Sequence, residues 1–131
     1  MILLLDSEPV ARSVMKEVLE RAGYVVTATG SLGAAVDRLA HGGVDLMITR
    51  PYVDNIPGHQ AAKYLHARNP GMGVLIVAGL LDDDRLQYRA DMEGFEIFPP
   101  PFSRPQFLAK VEDVLKAAQK RRGAAHKHQH V

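Results

Sequence analysis

Ile2-Leu3-Leu4-Leu5-Asp6-Ser7-Glu8-Pro9-Val10 changes character twice within a short span. Four apolar residues in a row, closed by polar breakers, fit a strand buried on both faces better than one with a wet side. Pro9 suits the first turn of a helix, where its missing N–H has no partner to lose. Val10, Val14 and Val18, with Ala11 and Ala22, then recur at helical spacing until Gly23 stops the pattern. One buried strand feeding one amphipathic helix is half of a parallel crossover unit.

The unit recurs along the chain. Residues 24–28 are β-branched or aromatic and read as a second strand. Ser31 can cap a helix carrying Leu32, Ala35, Val36 and Leu39, ended by Gly42-Gly43. Residues 44–49 read as a third strand, and 50–58 as a loop broken by Pro51 and Pro57. A helix over 59–68 stops at Asn69-Pro70-Gly71, and 74–78 form a fourth, fully apolar strand. Asp82-Asp83-Asp84 favours a helix start, closed by Gly94. Residues 95–98 give a fifth strand. Ser103-Arg104-Pro105-Gln106 matches a capping box for a last helix through Phe107, Val111, Val114 and Ala118.

Five strands alternating with helices predict an α/β fold with a parallel sheet covered on both faces. Right-handed crossovers in this length point to a flavodoxin-like, doubly wound (βα)5 sandwich of strand order 2-1-3-4-5. The chain of 131 residues, 47% apolar and 24% charged, is an ordinary globular composition for one domain over 1–120. No cysteine means no disulfide and no thiolate chemistry, which fits a reducing cytoplasm. The apolar start is far below the roughly 18 residues of a membrane span and has no basic flank, so neither membrane nor export is expected.

The charge is uneven. The first 115 residues hold all 15 acidic side chains but 11 of the 16 basic ones, and Lys116, Lys120, Arg121, Arg122 and Lys127 follow. Residues 121–131 read as a basic, flexible tail containing His126, His128 and His130. Cations also suit a helix C-terminus, and without interleaved aromatics the tail predicts no nucleic-acid binding. His41, His59 and His66 read as surface residues. There is no phosphate-binding loop, nucleophile elbow or metal-spaced histidine pair, and Gly71-Met72-Gly73 precedes a strand and lacks a dinucleotide fingerprint's third glycine.

Ligands of such folds sit at the carboxyl ends of the strands. Those positions are Asp6-Ser7-Glu8, Arg50, Ala78-Gly79 and Pro99-Pro100. Over 1–118 the chain resembles the receiver domain of bacterial two-component response regulators. The opening 2–10, Gly23-Tyr24-Val25-Val26, the third strand from Asp45 to Arg50, Gly58, and the stretch 94–102 carry the likeness in order. The resemblance implies an acidic pair holding Mg²⁺ after the first strand and a phosphoacceptor carboxylate after the third. It also implies a hydroxyl after the fourth strand and a lysine after the fifth. Here Asp6 keeps the first acid, but Ser7 replaces the second, Arg50 the acceptor, Ala78 the hydroxyl and Pro100 the lysine, while Pro101 and Phe102 are retained. A guanidinium neither accepts a phosphoryl group nor gives up its proton.

The expectation is a degenerate pseudo-receiver, not an enzyme, without a metal or other cofactor, acting through a protein partner such as a sensor kinase or output protein. The resemblance implies interaction or homodimerisation through the fourth helix, fifth strand and fifth helix, where Arg85, Leu86, Tyr88, Arg89 and Met92 mix apolar and cationic groups. Two alternatives stay open. One is an atypical phosphoacceptor at Asp6 or at Asp54, the latter about 13 Å of extended chain beyond Arg50; Asp45 lies at the opposite edge. The other is a flavodoxin-like small-ligand binder. Arg50 is expected to replace the ion by pairing with Asp6, or failing that with Glu8.

Overall fold

The computed structural model describes residues 1–50, 52–53, 55–77, 96–98 and 103–129. The chain runs β1 (Ile2–Leu5), α1 (Pro9–Arg21), β2 (Val26–Thr29), α2 (Leu32–Leu39) and β3 (Leu46–Thr49). A short hairpin of β4 (Tyr52–Val53) and β5 (Ile56–Pro57) precedes α3 (Gly58–Arg68) and β6 (Gly73–Val77). Then come β7 (Glu96–Phe98) and α4 (Arg104–Gln129). The main sheet is parallel throughout, in the order β2-β1-β3-β6-β7. That is the predicted 2-1-3-4-5 order once the hairpin is set aside.

Strand alternation builds two cores. Ile2, Leu4, Leu46, Ile48, Leu75 and Val77 pack with Leu19 of α1 and with Phe107, Val111 and Val114 of α4. On the other face Leu3, Leu5, Met47 and Ile76 meet Ala35 and Leu39 of α2 and Ala62 and Leu65 of α3. Each fully buried Leu or Ile contributes about 1.5–3 kcal/mol of transfer free energy, so unbroken apolar runs select a strand covered twice. Gly73 lets α4 approach the sheet: a Cβ there would lie 3.0 Å from Val114 Cγ1 and 3.3 Å from the Val114 carbonyl.

Local signals set the ends. The Glu8 carboxylate accepts the Ala11 N–H at 2.6 Å, and Pro9 opens α1. Ser31 Oγ accepts from Ala34 N, and Ser103 and Gln106 bond reciprocally, N–H to side chain, as the capping box requires. Gly23 closes α1 at φ +98°.

The structure differs from the sequence reading in two places. Residues 50–58, expected as loop, contain the antiparallel pair Tyr52↔Pro57 and Val53↔Ile56, with Asn55 at φ 66° in its turn. Asn tolerates the left-handed conformation a tight hairpin needs, and Val53 is fully buried beneath it. The second difference is at the end. Where a flexible tail is expected from 121, α4 continues to Gln129. Arg122 secures the added turns: its Nη1 donates to Asp45 Oδ1 at 3.2 Å. The helix expected over 82–93, with Arg85, Leu86, Tyr88, Arg89 and Met92, lies outside the described residues. Among those described, no helix is long and apolar enough to cross a membrane.

Candidate functional site

The parallel register pairs Leu5 with Thr29 on one side and with Thr49 on the other, so the residues leaving β1 and β3, Asp6 and Arg50, emerge side by side at one sheet edge. Asp6 is 2% exposed and is held from three directions. Its N–H donates to the Thr29 carbonyl at 3.0 Å, its Oδ1 accepts the Glu8 N–H at 3.0 Å, and its carbonyl accepts from Arg12 Nη1 at 2.9 Å. Asp6 Oδ2 is buried, with no hydrogen-bond partner among the described residues. Thr49 beneath Arg50 is fully buried and turns its hydroxyl to the Arg50 carbonyl at 3.3 Å.

The sequence reading passed over Arg12 and Gly30. A Cβ on Gly30 would fall 2.4 Å from Arg12 Nη1, so the bare glycine backbone makes the space through which the guanidinium reaches Asp6. A signal was present: Arg12 lies in the first turn of α1, where the helix dipole disfavours a cation unless a local acceptor compensates.

The expected ion pair between Arg50 and Asp6 is not formed, nor is the pair with Glu8. Asp6 Oδ1 is engaged by the turn into α1, Glu8 caps that helix, and among the described residues the half-buried Arg50 guanidinium makes no hydrogen bond or ion pair. Pulling a guanidinium fully out of water onto a buried carboxylate costs desolvation that the attraction does not reliably repay. Ser7 is exposed. Ala78, Pro100 and Asp54 lie outside the described residues.

A divalent cation asks for several oxygen donors, usually more than one of them anionic. Among the described residues one buried carboxylate oxygen has no hydrogen-bond partner, Glu8 is committed to its helix, and the Arg12 guanidinium donates to the Asp6 carbonyl. Among the described residues no three His, Cys, Asp or Glu side chains gather as a metal site. This donor set does not fit Mg²⁺.

At the opposite sheet edge Asp45 takes the Met1 amino group on Oδ2 and Arg122 on Oδ1. The hydrogen bond from the amino group, assisted by Arg122, holds its carboxyl below the usual carboxylate range against the opposing effect of burial. His41 is exposed and His66 half-buried.

The chain matches the response regulator receiver domain over residues 2–112. It is 25% identical over 125 residues to the nisin biosynthesis regulatory protein NisR of Lactococcus lactis subsp. lactis, covering 95% of this chain and 54% of that one. It is 24% identical over 116 residues to the DNA-binding transcriptional regulator NtrC of Azospirillum brasilense, covering 88% of this chain and 24% of that one. It thus spans about half of the first relative and about a quarter of the second. Among solved structures, the signal receiver domain of an HD domain-containing protein from Pseudomonas fluorescens Pf-5 superposes with a TM-score of 0.80 at 22% identity, covering 91% of this chain and 96% of that one. With the sheet order and a family match over most of its length in agreement, the chain belongs to the response regulator receiver domain family.

Proposed function

We propose that this receiver domain signals without being phosphorylated, as a non-enzymatic module that works by binding a protein partner. The observation that carries the reading is Arg50 beside Asp6 at the strand ends, where the phosphoryl group would be accepted. A guanidinium has no oxygen nucleophile and repels the cation that phosphotransfer uses. Ser7, Ala78 and Pro100 remove the second acid, the hydroxyl and the lysine from the same pocket, so no Mg²⁺ or other cofactor is part of the working state.

The partner is a sensor kinase or output protein of a two-component system in the cytoplasm, met on a face that includes Arg85, Tyr88, Arg89 and Met92. The same face serves a homodimer. NtrC is named as DNA-binding, but this chain spans a quarter of it, and no nucleic-acid or membrane role is assigned to this domain.

Treatment with acetyl phosphate followed by mass spectrometry tests the reading: no phosphoryl adduct is expected. A stoichiometric adduct removed by hydroxylamine would overturn it. One observation favours a second reading, in which Asp6 itself accepts the phosphoryl group: its Oδ2 has no hydrogen-bond partner among the described residues. An adduct lost in Asp6→Asn assigns that reading, and one lost in Asp54→Asn assigns the loop.

A further inference from the structure

The match to the receiver family ends at residue 112, yet α4 continues to Gln129. No acidic residue follows Asp113, while Lys116, Lys120, Arg121, Arg122 and Lys127 do. A helix C-terminus favours cations, but that preference acts within the last turn and accounts for one or two of them. Of the four that precede Gly123, two have partners in the chain. Arg122 is anchored on Asp45, its stem laid over Gly71, where a Cβ would lie 2.8 Å from Arg122 Cδ. Lys116 pairs at 2.9 Å with Glu112, one turn back along the helix. Lys120 and Arg121 are exposed and, among the described residues, form no ion pair.

Helical periodicity sorts these positions. Phe107, Val111, Val114 and Ala118 are buried and mark the inner side of α4. Positions 116, 120 and 123 fall on the opposite side, within about 60° of one another at 100° per residue. All three are exposed, and the Arg122 anchor fixes the helix end that carries them. Gly123 is an independent observation. Only proline suits a helix interior less than glycine does. Nothing in the fold requires it here, because a Cβ at 123 would meet nothing within 4 Å and the backbone is not left-handed. A bare backbone beside two lysines admits close approach by another chain.

The occupant is therefore anionic. This side has no aromatic ring on which bases could stack and no apolar stripe to enter a lipid surface. An acidic helix fits, its backbone crossing at Gly123 and its carboxylates, one turn apart, meeting Lys116 and Lys120. Lys116 gives up little in exchanging Glu112, since an exposed ion pair contributes little. We propose that the outer side of α4 beyond residue 112, centred on Lys120 and Gly123, docks an acidic helix of a partner protein. The surface differs from the one in the functional proposal, and the inference stands whether or not phosphotransfer occurs.

The probe is a fluorescein-labelled, alanine-based helical peptide with glutamates four residues apart, titrated with the full chain by anisotropy. Saturable binding is expected, falling as salt is raised. Lys116→Glu with Lys120→Glu should weaken it by about tenfold or more. Gly123→Leu separates docking from folding. Leucine favours helix and the position is open, so the melting midpoint should equal or exceed that of wild type while the peptide binds about tenfold more weakly or worse. No saturable binding up to millimolar peptide, or binding indifferent to Gly123→Leu or to the lysine reversals, would overturn the proposal. So would a lower midpoint in Gly123→Leu, which would assign the glycine to the chain's own fold. Tighter binding of a single-stranded oligonucleotide or of phosphatidylserine vesicles than of the peptide would overturn it in favour of those partners.

Discussion

At the scale of single residues, the strand-end pocket is governed by one carboxylate that has a fixed place and an unfilled valence. Asp6 is buried and three of its polar atoms are bonded, yet Oδ2 has no hydrogen-bond partner among the described residues. Leaving a buried acceptor unpaired costs about 1–3 kcal/mol, and a charged one more than a neutral one. Asp6→Asn keeps the shape and the bond from Glu8 N while removing the charge, so it should raise the melting midpoint by roughly 3–6 °C. A fall would mean that Oδ2 has a partner in solution. Arg50→Ala, which a buried Arg50–Asp6 pair would make strongly destabilising, should instead stay within about 0.5 kcal/mol of wild type in a urea titration. Adjacency of Asp6 and Arg50 was legible in the sequence, because strand order alone dictates it. Their failure to pair was not, because it depends on the Glu8 N–H and the α1 cap having engaged the acids first. Gly30→Ala should displace Arg12 from the Asp6 carbonyl and destabilise by about 1 kcal/mol. With Arg12→Ala already present the glycine change should cost little, since a double-mutant cycle isolates a shared contact.

At the scale of elements, apolar runs and caps were enough to place strands and helices, because each of those signals is local. The hairpin and the end of α4 were not. Pro51 and Pro57 read as loop formers, while the pairing of Val53 with Ile56 rests on burial of Val53, which no local pattern announces. The cationic stretch from Arg121 reads as a solvated tail until Arg122 finds Asp45, a contact between the sheet's opposite edge and the last helix. Asp45, held first by the Met1 amino group and then by Arg122, carries a pH signature. The folded-state pKa of Asp45 lies below its unfolded value of 3.8, so its stabilising contribution is complete above that value and disappears as pH falls through the folded pKa. Asp45→Asn should therefore destabilise near neutrality, by less than about 1 kcal/mol for so exposed a pair, and should flatten the acid limb of the stability profile. A variant whose profile keeps the wild-type shape would remove Asp45 from that role. Gly73→Ala, pressing on the Val114 carbonyl, should cost about 1–3 kcal/mol in the same titrations, as overpacking does.

For the whole molecule, the receiver fold is present although Ser7 and Arg50 follow β1 and β3, which is possible because fold and strand-end pocket are maintained by different residues. The sheet order depends on buried side chains of β1, β3 and β6, none of which is a pocket group. The pocket depends on whatever follows each strand, and Ser7 and Arg50 can vary there without touching either core. A receiver fold is therefore compatible with indifference to Mg²⁺, and the melting midpoint of the wild-type chain should be the same in millimolar Mg²⁺ and in chelator. The converse is a sharper test. S7D with R50D returns two carboxylates to the edge beside Asp6 and removes the fixed cation. In chelator those acids repel one another, so the double variant should melt below wild type. Added Mg²⁺ should raise it by about RT ln(1 + [Mg²⁺]/Kd), roughly 1.4 kcal/mol at ten times Kd. Each single variant should respond less than the pair, because S7D leaves Arg50 opposing the ion and R50D leaves one carboxylate fewer to hold it. A rise of the wild-type midpoint with Mg²⁺ would show that Asp6 binds the ion despite Arg50, and would return the free Oδ2 to the role of a metal ligand.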